Sequence, residues 1–133
     1  ATPATAAPPA TAPVVRLGQN ENPWGPSMAA KKAAIEDDAA FLEACRKRTV
    51  AGREGLAAFL REEGFATPPS ETNFVFVPMA SGAAELAKAL EERGIRISAR
   101  DPKLGLRVTV GTEDDIARFR AAFREARAAL AAA

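Results

Sequence analysis

Leu106, Val108 and Val110 alternate with Arg107 and Thr109, a period of two that puts aliphatic side chains on one face of a strand and polar ones on the other. Ile95 and Ile97 alternate with Arg96 and Ser98 in the same way, and Asp101-Pro102-Lys103-Leu104-Gly105 between the two runs is turn chemistry. Residues 94–112 therefore read as two paired strands followed by a helix entry. Asn73 to Val77 (NFVFV) is apolar at nearly every position, which predicts a strand covered on both faces and central in its sheet, ended by Pro78.

Elsewhere the apolar period is helical. Ser27 is a natural N-cap, no proline follows before Gly64, and Ile35, Leu42, Cys45, Leu56, Phe59 and Leu60 recur at spacings that share one face. A single helix over 28–63 would be about 54 Å long, far more than a small domain needs. A break or bend is expected near Gly52, Gly55 or Asp37-Asp38. Cys45 lies on the stripe and is expected in the core, with a reactive thiol as the alternative. Gly64-Phe65 predicts a helix stop with the aromatic ring folding back. Ala83, Leu86, Ala87 and Leu90 mark a second helix opened by Ser81-Gly82 and closed at Gly94. Thr112 with Asp115 resembles a capping box, and Ile116, Phe119, Phe123, Ala126 and Leu130 form the stripe of a last helix. The order helix, strand, helix, strand, strand, helix predicts an α+β two-layer sandwich, with a small, mainly antiparallel sheet and helices on one face.

Three segments follow. Residues 1–13 contain only Ala, Thr and Pro and are expected to be a disordered tail. A start at Ala is compatible with removal of an export signal and equally with a fragment. Residues 14–27 form an N-terminal segment: a short extended run, Val14 to Leu17, and then a stiff, irregular loop with two prolines, two glycines and two asparagines. Trp24 in that loop either covers a core edge or lines a pocket or interface. Residues 28–133 form one small domain that includes the long helix.

Charge and composition narrow the chemistry. Lys plus Arg is 18 against 17 Asp plus Glu, so nothing draws the chain generally to nucleic acid or an anionic membrane. No run of about 18 apolar residues exists to span a bilayer. One cysteine and no histidine exclude an intrachain disulfide, a Cys-based metal cluster and Ser/His or Cys/His catalysis within one chain. The acidic pairs sit at helix starts or on exposed faces, where solvated charge explains them, and no Gly-rich phosphate loop is present. What survives is a polar strand face, Arg96, Arg107 and Thr109 with Arg100 and Asn73 nearby, beside the Trp24 loop. Arginine on such a face either is solvated or grips a small anion, most naturally a carboxylate, through two parallel hydrogen bonds.

Leu17–Ser27 (LGQNENPWGPS), Pro69–Phe74 (PSETNF), Gly94-Ile95 and Leu106–Thr112 (LRVTVGT) resemble motifs of the histidinol-phosphate aminotransferase-like enzymes, pyridoxal-phosphate enzymes of the aspartate aminotransferase fold. The likeness runs from Val14 to about Leu130. It implies that Arg107 takes the place of the arginine that clamps the substrate's α-carboxylate, with Asn73 close by. It also implies that the loop carrying Asn22 and Trp24 borders the substrate pocket. The family has a further arginine after its Gly-Ile strand; here the place reads Ser98-Ala99-Arg100, making Arg100 the candidate substitute.

The departures from that pattern concern the cofactor. The family carries a large cofactor-binding domain between its N-terminal helix and its small-domain helix, whereas here Ile35–Ala39 runs straight across the junction. Its Schiff-base lysine follows a serine by three, but Lys31, Lys32, Lys47, Lys88 and Lys103 follow Met28, Ala29, Ala44, Glu85 and Arg100 at that offset, and tyrosine is absent. The overlong helix is then two helices spliced end to end. The expectation is a truncated aminotransferase-like chain that keeps a carboxylate-binding small domain, binds no pyridoxal phosphate alone, and transaminates only with a complementing partner chain. The family in general is cytoplasmic. The alternative is a non-catalytic, self-associating or protein-interaction module.

Overall fold

The computed structural model describes residues 15–18, 27, 39–99, 101 and 103–133. The alternating runs become strands: β1 (Val15–Leu17), β2 (Phe74–Pro78), β3 (Ile95–Ile97) and β4 (Gly105–Thr109). The helical stripes become α1 (Ala39–Glu62), α2 (Ala83–Glu91) and α3 (Glu113–Ala132). β2 and β4 run antiparallel with Phe76 opposite Arg107, and β1 and β3 run parallel with Val15 opposite Ile95. A bridge joins the two ladders: Arg107 N donates to Ser98 O at 2.8 Å and Ser98 N to Arg107 O at 3.2 Å. The parallel β1–β3 pair brings the N-terminal segment into the fold, a pairing the strand patterns alone do not announce.

One face of each strand is buried. Val75, Val77, Ile95, Ile97, Leu106 and Val108 share a single cluster with Leu56, Phe59 and Leu60 of α1, Leu86 and Leu90 of α2, and Ile116, Phe119 and Phe123 of α3. Phe59 meets Phe123 edge to face at 5.7 Å, and Phe65, turned back by Gly64 at φ 91°, meets the same ring at 5.6 Å. These edge-on contacts add to an already large apolar burial. The helix stop at Gly64-Phe65 thus takes the expected form, and Thr112 and Asp115 form the capping box at the start of α3.

Three expectations change. β2 was expected to be central, but among the described residues it pairs only with β4, and Phe74 and Phe76 on its other face are half-buried. Of those two rings, Phe74 lies under the Arg107 guanidinium instead of under a second helical layer. Of the three places where a break was expected, Asp37-Asp38 lies outside the described residues, while α1 runs unbroken through Gly52 and Gly55; Gly52 is a packing site, where a Cβ would stand 2.6 Å from Val110 Cγ1. Cys45 and Leu42 lie outside the core, Cys45 half-buried and Leu42 60% exposed, since the buried part of α1 begins only at Arg53. The Ala/Thr/Pro tail, most of the Trp24 loop and residues 28–38 lie outside the described residues.

Candidate functional site

Arg107 occupies the middle of β4 on the face away from the helices, because Leu106 and Val108 on either side are fully buried in the core. The pleat therefore turns its side chain to the opposite face, where the half-buried Phe74 and Phe76 lie. Its guanidinium lies over the Phe74 ring, 5.2 Å from the centroid. Nη2 donates to the Gly18 carbonyl at 3.1 Å, across 89 residues of sequence. Nε is buried and has no hydrogen-bond partner among the described residues. A half-buried, aromatic-backed cation with an unsatisfied donor is poised for an anionic acceptor, since an orphaned buried donor carries a desolvation penalty that a carboxylate would relieve.

Asn73 stands at the entry to β2, and its carbonyl accepts the Val110 amide at 2.8 Å across the ladder. The residues before it are held by their own hydroxyls. Ser70 Oγ donates to Phe74 O at 2.8 Å and Thr72 Oγ1 lies 2.9 Å from Ser70 Oγ. Thr109 is buried beside Arg107's strand partner positions, opposite Phe74. Arg96 does not join this group: it is exposed and pairs with Glu91 at 3.0 Å. Its strand face groups it with Arg107, but an acidic partner at the end of α2, Glu91, holds it elsewhere. Trp24, Asn22 and Arg100 lie outside the described residues.

Two members of the site escape the strand pattern. The Gly18 carbonyl is a backbone group far away in sequence, and nothing local signals its meeting with Arg107. Arg53 is the other. It is only 7% exposed, and its Nη1 donates to the Thr72 carbonyl at 3.1 Å. The signal for it is its spacing, three before Leu56 and seven before Leu60, which places a charge on an apolar stripe.

Of the five lysines, Lys31 and Lys32 lie outside the described residues. Lys47, Lys88 and Lys103 are all exposed, not enclosed in the kind of desolvated pocket that activates an amine for Schiff-base formation. Among the described residues no cluster of His, Cys, Asp or Glu suits a metal, and no helix is long and apolar enough to cross a membrane. A groove of about 810 Å³ between α1 and the start of α3 carries Lys47, Arg48 and Arg120, but also Glu113 and Asp114, so its charge favours no one ligand sign.

The site is thus a strand-borne arginine over an aromatic ring, reached by the N-terminal segment, and comparison with known proteins gives the class of the chain that carries it. The sequence model of the aminotransferase class I and II family matches residues 13–123, and the chain belongs to that family. Within it, the chain is 40% identical over 103 residues to histidinol-phosphate aminotransferase 1 of Bradyrhizobium diazoefficiens, covering 74% of this chain and 29% of that protein. It is 44% identical over 92 residues to the histidinol-phosphate aminotransferase of Acinetobacter baylyi, covering 66% of this chain and 25% of the relative. The fold matches the crystal structure of histidinol-phosphate aminotransferase from Sinorhizobium meliloti in complex with pyridoxal-5'-phosphate with a TM-score of 0.58 at 24% identity, over 70% of this chain and 27% of that one. The chain thus spans under a third of the length of these relatives.

Proposed function

We propose that this chain is the substrate-carboxylate-binding small domain of a class I and II aminotransferase with its N-terminal segment attached and its central cofactor domain missing. On this reading it grips an amino acid or dicarboxylate through Arg107, with Asn73, Asn22, Trp24 and Arg100 around it. It does not transfer amino groups without a partner chain that supplies cofactor and lysine. The observation that carries the reading is Arg107 itself: half-buried, stacked on Phe74, tied to Gly18, with Nε lacking an acceptor.

The test is titration of the full chain with maleate, a small dicarboxylate, followed by calorimetry. Wild-type protein binds, and Arg107→Ala weakens binding by at least about tenfold, the loss expected when a charged, two-point hydrogen bond is removed. Pyridoxal phosphate added to the chain keeps the spectrum of the free aldehyde. A lysine-dependent absorbance band, or maleate binding indifferent to Arg107→Ala, overturns the reading. A second reading, a self-associating module, is favoured by the exposed first half of α1 with Leu42 on its surface. It is supported if the chain is oligomeric and shows no maleate binding at all.

A further inference from the structure

Arg53 is a buried guanidinium in a small α+β fold, and burying one is costly unless its hydrogen bonds are used. Two of its contacts are weak: Nε and Nη2 each lie 3.4 Å from Oε1 of Glu54, whose side chain is largely exposed. Its one short bond runs from Nη1 to the Thr72 carbonyl at 3.1 Å, 19 residues away in sequence. That carbonyl belongs to the same planar peptide unit as the nitrogen and Cα of Asn73. The next peptide unit begins with the Asn73 carbonyl, which accepts the Val110 amide at 2.8 Å. Both planes that meet at the Asn73 Cα are therefore held, one by α1 and one by the strand ladder. With the two planes restrained, the backbone dihedrals of Asn73 are restrained, and so is the direction of its Cα–Cβ bond, from which the side chain extends. The second plane also carries the nitrogen and Cα of Phe74, whose ring lies under the Arg107 guanidinium.

From this geometry we infer that Arg53 is a positioning residue: through the Thr72 carbonyl it sets the orientation of Asn73 and the seat of Arg107, and so the affinity of the carboxylate site. The inference rests on the carboxylate-binding reading above for its functional consequence, and on the hydrogen bonds alone for its structural one.

The experiment uses the full chain labelled with ¹⁵N, observing the Asn73 side-chain amide and the Arg107 Nε–H by NMR, with maleate as the probe ligand. Arg53→Met keeps the aliphatic stem and removes the donors. It is expected to shift both resonances in the unliganded protein and to weaken maleate binding by about tenfold. Leu56→Val, a destabilising control that leaves the Thr72 bond intact, is expected to lower the thermal midpoint without moving either resonance. Arg53→Lys, with charge and stem kept, is expected to lie between Arg53→Met and wild type. It supplies the same readout should Arg53→Met fail to fold. Resonances at their wild-type positions in either Arg53 variant overturn the inference and leave Arg53 as a core contact only. If wild-type protein does not bind maleate, the carboxylate reading fails, while the resonance shifts still decide whether Arg53 orients Asn73.

Discussion

Gly105 is held at φ 133° opposite Pro78, where a Cβ would overlap the Val77 carbonyl oxygen and stand 2.9 Å from Met79 N. Only glycine takes that conformation without strain, and only glycine lets the two strands close at this point. Gly105→Ala is therefore expected to lower stability by about 2–3 kcal/mol or more, read as a shift in urea midpoint with little change in slope. The residue matters because it starts the strand that carries Arg107. At this scale the sequence was a good guide to which face each β4 side chain takes, since alternation obeys the pleat wherever one face is buried. It was a poor guide to what those side chains meet. Arg107's acceptor, Gly18 O, and its aromatic bed, Phe74, come from other parts of the chain, and local periodicity carries no information about them. Arg96 shows the same limit from the other side: its face was legible, its partner Glu91 was not.

Among the elements, helix ends were more legible than helix interiors. The Thr112 hydroxyl accepts the Asp115 amide at 3.2 Å, while Asp115 Oδ2 accepts the Thr112 amide at 3.0 Å, a reciprocal pair that depends only on residues three apart. Thr112→Ala is expected to cost about 1 kcal/mol, with Thr112→Ser nearly neutral, measured by thermal unfolding. The interior of α1 was harder to read because glycine has two uses. Propensity marks Gly52 and Gly55 as weak points, yet here close packing against Val110 at one and a part-buried carbonyl that accepts Arg120 Nη2 at 3.0 Å at the other make them contacts. β2 was misjudged for a related reason. An apolar run is the same whether its second face meets a helix or serves as a platform for a cation, and composition does not distinguish the two.

Across the whole molecule, the clasp between α1 and the terminal helix shows what sequence reasoning does not reach. The run Arg61 to Phe65 reads as a helix exit and no more. In the fold, Glu63 accepts Arg124 Nε at 2.6 Å and Arg127 Nη1 at 3.1 Å, while Arg127 Nη1 also donates to the Glu63 carbonyl at 2.8 Å. The same two guanidiniums lie over the Phe59 and Phe65 rings, each 5.1 Å from the centroid, so ion pair and aromatic core share one set of side chains. The hydrogen bond from Arg124 is the main cause that holds the Glu63 carboxyl below its ordinary value, with the charges of Arg124 and Arg127 adding to it. A carboxyl whose folded value is depressed stabilises the fold above its unfolded value, about 4.3, and loses that contribution as pH falls through and below it. Wild type and Glu63→Gln are accordingly expected to differ in urea midpoint at pH 7 and to converge as the pH is lowered toward about 3, the wild type losing the advantage. The same convergence is expected at pH 7 in high salt if the carboxylate acts mainly as a charge, and a difference that survives high salt but not low pH assigns it to the short Arg124 hydrogen bond. A gap independent of pH would mean that the charge on Glu63 contributes nothing, leaving the rings beneath the arginines to join the two halves of the chain.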